Sequence, residues 1–179
     1  PAVHPVSQAL ALTGWDVPDE PVPFAEAAAQ EYRPLSVGEA WGAPWRTLWV
    51  HATGTVPASW RDRPGHEVEL VIDLGFSTTQ PGFQAEGLLQ RADGSILKAI
   101  SPLNQCVSWS GEPDTIDVYL EAAANPDVAQ DFSFAPSPYG DKATAGDEPL
   151  YRIRRVDVAL RDVTVWELDQ DLTVLLELA

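Results

Sequence analysis

The segment EVELVID, residues 67–73, alternates acidic and apolar side chains without a break. Val68, Leu70 and Ile72 point one way, and Glu67, Glu69 and Asp73 the other. A two-residue period predicts a strand with one buried face, because successive side chains leave a pleated strand on opposite sides. The same period recurs down the chain. In RTLWVHATGTV (46–56), Leu48, Val50 and Ala52 alternate with Trp49, His51 and Thr53. TIDVYLEA (115–122) turns Ile116, Val118 and Leu120 inward, and VDVAL (156–160) does the same with Val156, Val158 and Leu160. GFQAEGLLQ (82–90) and SILKAI (95–100) flank Asp93-Gly94, a dipeptide that favours tight hairpin turns. Closely spaced strands with turn residues between them predict a mainly β fold, an antiparallel β-sandwich of the jelly-roll or galactose-binding-like kind. Sixteen prolines and twelve glycines in 179 residues agree with short elements and many turns.

Two segments read as helices. FAEAAAQEY (24–32) is a short candidate that must stop before Pro34. Residues 1–23, rich in proline, read as an extended lead-in, and 24–161 as the sandwich. Within it, 124–149 reads as one long loop, with Phe132, Phe134 and Tyr139 expected to pack part of it down. Residues 162–179 read as a C-terminal helix with Asp162 as its N-cap. Its apolar residues fall on two sides. Val165, Leu168, Leu172, Leu175 and Leu176 form one stripe, and Val163, Trp166, Val174 and Leu178 lie opposite. One side is expected to lie on the sandwich. The other, Val163, Trp166, Val174 and Leu178, is the expected interface to a missing domain, so the chain reads as cut from a longer polypeptide.

With 27 acidic residues against 11 basic ones, the net charge is −16. Such a surface repels phosphate backbones and anionic lipids, which argues against nucleic acid and membrane partners and tolerates neutral ligands such as sugars. No stretch is apolar enough to span a membrane, and the first residues do not form a signal peptide. Cys106 is the sole cysteine, so no intrachain disulfide can form, in keeping with a cytoplasmic location. No base neighbours it in sequence, and it reads as a buried thiol.

Chemistry is hard to find along the chain. His4, His51 and His66 match no zinc-binding spacing, and none is followed two positions later by Asp. A serine-hydrolase elbow and phosphate-binding glycine loops are likewise missing. No catalytic and no metal-ligating residue is therefore assigned, and no cofactor is expected in this chain. Glu86, between apolar neighbours and next to Gly87, is the one acid singled out: it is either hydrogen-bonded by the fold, the stronger expectation, or a sugar or domain-interface contact. The segment 39–60 carries Trp41, Trp45, Trp49 and Trp60. Tryptophan stacks on the CH-rich faces of sugars but equally fills cores. Trp41 and Trp45, in WGAPW, are the candidate sugar contacts, with core or rim packing the stronger expectation.

PVPFAEAAAQEYRPLSVGEAWGAPWRTLWVHATGTVPASW, then ELVIDLGF, PGFQAEGLLQRADGSILKAI, DVYLEAAANP and the closing VWELDQDLTVLLELA, resemble the N-terminal domain of α-mannosidases of glycoside hydrolase family 38, of the bacterial and fungal vacuolar type. The resemblance runs from about Trp15 to Ala179. It implies a non-catalytic β-sandwich ahead of a barrel that holds one zinc through His and Asp ligands and works by a retaining mechanism. That barrel's first His-x-Asp motif would lie downstream of this sequence, so no catalytic or metal residue carries over. The partners it implies are the catalytic domain of the same polypeptide, mannosides, and further copies of the full-length protein in a homo-oligomer. A free-standing carbohydrate-binding module and a pure scaffold domain are the alternatives.

Overall fold

The structure, a computed structural model, describes residues 3–77, 82, 84–126 and 138–178. Twelve strands fall among them: β1 (Val6–Ala9), β2 (Ala11–Asp16), β3 (Arg33–Leu35), β4 (Ala40–Trp41), β5 (Thr47–Thr55), β6 (His66–Asp73), β7 (Glu86–Arg91), β8 (Ile96–Ile100), β9 (Cys106–Ser108), β10 (Thr115–Ala123), β11 (Tyr151–Arg152) and β12 (Arg155–Asp162). Two α-helices accompany them, α1 (Phe24–Ala27) and α2 (Val163–Glu177). One sheet runs β1-β12-β6-β9 and the other β3-β2-β5-β10-β7-β8, while β4 and β11 form a small ribbon. All strand pairs are antiparallel.

The alternation read from the sequence becomes the core. Val118 stands opposite Ala52 and Leu120 opposite Val50, so both strands turn the same set inward. From the smaller sheet, Val158 faces Leu70 and Val156 faces Ile72. These residues meet in one buried cluster between the sheets. Each Val, Leu or Ile side chain among them contributes roughly 1.5–3 kcal/mol on burial. A one-residue slip would expose the whole set, which fixes the register. The Asp93-Gly94 hairpin forms between β7 and β8, with Gly94 at φ 81° and its N–H donating to the Arg91 carbonyl at 2.9 Å. Glycine is required twice over there, since a Cβ would come within 2.8 Å of the Phe24 ring.

The structure departs from the sequence reading at both ends. Residues 1–23 are not a lead-in outside the sandwich. β1 pairs with β12 in the smaller sheet, and β2 pairs with β3 and β5 in the larger. The chain crosses between the sheets at buried Leu10, whose N–H donates to the Val156 carbonyl at 3.0 Å. Pro5 and Pro18 sit outside both strands, where proline removes no ladder bond. The predicted helix over 24–32 shrinks to α1, and β7 begins at Glu86 instead of 82. Segment 17–32 serves as a cover. Val17, Val22, Phe24, Ala27 and Tyr32 pack on Trp15, Trp49 and Tyr119, on the outer face of the larger sheet. Of the long loop, Phe132 and Phe134 lie outside the described residues, and Pro138–Gly140 makes a single 3-10 turn.

Helix α2 forms where expected, but neither of its sides lies on the sandwich. Asp162 caps it, its carboxylate accepting from the Val165 N–H at 3.0 Å. None of its residues is buried. In the first turn the Val163 N–H donates to the Gly65 carbonyl and Arg161 stacks 4.6 Å over the Trp166 ring. Leu168, Leu172, Leu175 and Leu176 are exposed along with Val174 and Leu178.

Candidate functional site

The four tryptophans of 39–60 take different roles. Trp41, at 2% exposure, ends in the core. It pairs with Tyr151 across the β4-β11 ribbon, the rings 5.6 Å apart, and its indole N–H donates to the Leu74 carbonyl at 2.8 Å. Tyr151 in turn accepts from the Ala85 N–H and donates to the Asn125 carbonyl. Trp41 thus closes one end of the sandwich and presents no ring to a ligand. Trp49 and Trp60 are buried too. Trp45 differs, being 40% exposed. The turn that carries it follows Gly42 (φ 74°), where a Cβ would strike the Ala124 Cβ at 2.6 Å. The turn then bonds to β10's end through Trp45 N–H to Ala124 O, 2.9 Å. That docking holds Trp45 itself at φ 64°, and its indole N–H is spent on the Tyr139 carbonyl at 2.8 Å.

Glu86 opens β7 on the outer face of the larger sheet, opposite Ala123. It is exposed and accepts from the Asn125 side-chain amide at 3.0 Å. Together with Glu121, Leu88, Ala99, Thr47 and Pro21 it lines a groove of about 330 Å³ beside the 17–32 cover. Glu121 stands opposite Leu88, which makes it the diagonal neighbour of Glu86. Burial pushes its carboxyl above the usual range.

His51 faces outward, as its place in the alternation implies. It stacks on Tyr119 at 4.2 Å and pairs through Nε2 with Asp117 Oδ1 at 2.8 Å. Of the four residues assigned to a domain interface, Trp166, Val174 and Leu178 are exposed and Val163 is half-buried.

One constellation escapes the sequence altogether. His4, Glu69 and Cys106 bring Nε2, a carboxylate oxygen and Sγ within 4.8 Å of one another on the outer face of the smaller sheet. Glu69 hydrogen-bonds His4 and is 5% exposed, with Arg161 Nε 3.5 Å from its other oxygen. Burial alone would raise the Glu69 carboxyl, but His4 and Arg161 outweigh it and hold it low. Burial, reinforced by the Glu69 charge, pushes the Cys106 thiol up to about 12, so it is no ready nucleophile. No spacing rule could have found this set, since His4 and Glu69 are 65 positions apart. It also does not fit the zinc centre that the resemblance implies. That centre uses His and Asp donors, whereas this one offers a thiol, and none of the three histidines begins a His-x-Asp motif. No catalytic step is derived from it.

The described residues form an antiparallel two-sheet jelly roll whose last helix leaves apolar side chains exposed. The chain belongs to the family described as "Alpha-mannosidase, jelly roll domain", whose model matches residues 6–159. It is 26% identical over 168 residues to human "Alpha-mannosidase 2C1", a match covering 89% of this chain and 14% of that protein. The chain thus spans about one seventh of the curated relative it matches.

Proposed function

We propose that this chain is a non-catalytic accessory domain at the N-terminal side of a zinc-dependent, retaining α-mannosidase of glycoside hydrolase family 38, acting in the cytoplasm. The reaction on mannosides belongs to a catalytic domain of the same polypeptide, which this domain steadies, together with a homo-oligomer of the whole protein. The observation that carries the reading is α2, a capped helix of 15 residues with Leu168, Leu172, Val174, Leu175 and Leu176 exposed, as is its C-cap Leu178. Solvent-facing leucines in such number mark an interaction surface. In a family of mannosidase jelly rolls the natural cover is the enzyme's own next domain.

Two measurements test it. The purified chain, given zinc and an aryl α-mannoside, is expected to show no turnover, and inhibitor-sensitive activity would overturn the non-catalytic assignment. In the parent polypeptide, Leu172→Glu with Leu176→Glu is expected to lower activity and melting temperature together. An unaffected parent enzyme would remove α2 from the interface.

A second reading, a carbohydrate-binding module, rests on Trp45. Its ring is exposed, and the bond to Tyr139 fixes its orientation. Saturable binding of methyl α-mannoside to the chain, lost in Trp45→Ala, would favour this reading over the first.

A further inference from the structure

The His4, Glu69 and Cys106 donors come from three segments whose backbones are each pinned by the sheet. Glu69 lies in β6 and Cys106 in β9, where the register sets Cys106 opposite Val71 and Ser108 opposite Glu69. Both side chains leave the outer face of the smaller sheet, two residues out of step. His4 precedes β1 and reaches across β12 to them. Its neighbour Val3 accepts through its carbonyl from the Asp162 N–H at 2.9 Å, and β1 pairs with β12 from Val6 onward. The imidazole is therefore delivered over β6 by main-chain bonds, which lowers the ordering cost of binding anything there.

We propose that His4 Nε2, a Glu69 carboxylate oxygen and Cys106 Sγ bind one zinc-class divalent ion, with water at a fourth position. One nitrogen, one oxygen and one sulfur donor suit a borderline-soft ion that accepts all three in a tetrahedral shell. Zinc bonds to N and O run about 2.0–2.2 Å and to S about 2.3 Å, so donors already within 4.8 Å close on an ion by small side-chain rotations. Binding breaks the Cys106 S–H bond, forms the Sγ–metal bond and releases that proton to solvent, while the Nε2–H that His4 turns to Glu69 is given up and the neutral ring keeps its proton on Nδ1, which frees the Nε2 lone pair for the ion. The ion's two charges then match one thiolate and one carboxylate. The nearby cations meet a neutral unit, and each has its own partner: Arg161 pairs with Glu67, Arg155 with Asp157, and Lys98 donates to the Cys106 carbonyl. In this site the ion ties the N-terminal segment to β6 and β9. It stands apart from the catalytic zinc of the mannosidase reading and does not depend on that reading.

Cobalt(II) added to the purified chain tests the assignment. One equivalent is expected to produce a thiolate-to-cobalt charge-transfer band with visible bands of tetrahedral intensity, and zinc to bleach both. Cys106→Ser, a near-isosteric change, is expected to abolish the charge-transfer band. His4→Gln, close to the chain start, is expected to weaken cobalt binding about tenfold or more, since even outer partners of metal ligands matter by about 10–100-fold. No charge-transfer band in the wild-type chain, or equal cobalt affinity in the wild type and His4→Gln, would overturn the site. Hydrogen bonds alone would then hold the three groups.

Discussion

Trp49 and Glu121 stand directly opposite each other across β5 and β10, on the outer face of the larger sheet. The Trp49 indole N–H is buried with no acceptor among the described residues. Glu121 is half-buried, and burial raises its pKa. A raised folded-state pKa means that the protonated form fits the fold better than the charged one. The benefit is complete below the unfolded-state value and is lost as pH rises through the folded one. Glu121→Gln removes the charge without removing a described partner. It is expected to stabilise the chain at neutral pH by roughly 0.5 kcal/mol, about 1–2 °C in melting midpoint. The gain should vanish in acid, and thermal melts at both pH values check it. A destabilised variant at neutral pH would show that Glu121 holds a partner.

Trp41 holds one end of the core through its ring and its bond to Leu74. Trp41→Ala is expected to cost about 3–5 kcal/mol, the range for deleting a large buried aromatic side chain. Denaturant unfolding measures it. A cost near zero would mean that the ring is not core mortar.

Trp45 carries an unfavourable backbone for any side chain, at φ 64°. Trp45→Gly and Trp45→Ala remove the same ring, but only glycine relieves the backbone. The glycine variant is expected to be the more stable of the two by about 1 kcal/mol. Comparing the two unfolding midpoints tests this, and the opposite order would place the strain elsewhere.

The cap on α2 is a single side chain. Asp162→Ala is expected to cost about 1 kcal/mol locally. Because none of the residues of α2 is buried, the loss should appear as fraying in far-ultraviolet circular dichroism, with little change in global unfolding. A large drop in global stability would mean that α2 is part of the cooperative core.

The leucines of α2 are half or more exposed. Leu172→Glu with Leu176→Glu is expected to leave its unfolding free energy within about 0.5 kcal/mol and to reduce binding of an apolar dye. A substantial loss of stability would show the helix packed on the sandwich in solution.

The alternation in 46–56, 67–73, 115–122 and 156–160 became β5, β6, β10 and β12 with the inward residues as read. β2 lies within the stretch read as an extended lead-in, since the flanking prolines outweigh the alternation of Leu12 and Gly14 against Thr13 and Trp15. The short strands β3, β4, β9 and β11 have two or three residues each, too few for any period to show. The two-sided pattern of α2 pointed to an uncovered face, but periodicity is blind to which side meets the body, and here neither does.

By itself the sequence determined the strand faces, the hairpin at Asp93-Gly94, the cap at Asp162 and the mannosidase kinship. All of these rest on neighbours within a few positions or on matched residue strings. Tertiary structure alone decided that Trp41 is mortar while Trp45 meets solvent, that Glu86 and Glu121 share a groove, and that His4, Glu69 and Cys106 converge. Those outcomes depend on which strands pair and in what register. Pairing brings together residues tens of positions apart, and no local pattern encodes that distance.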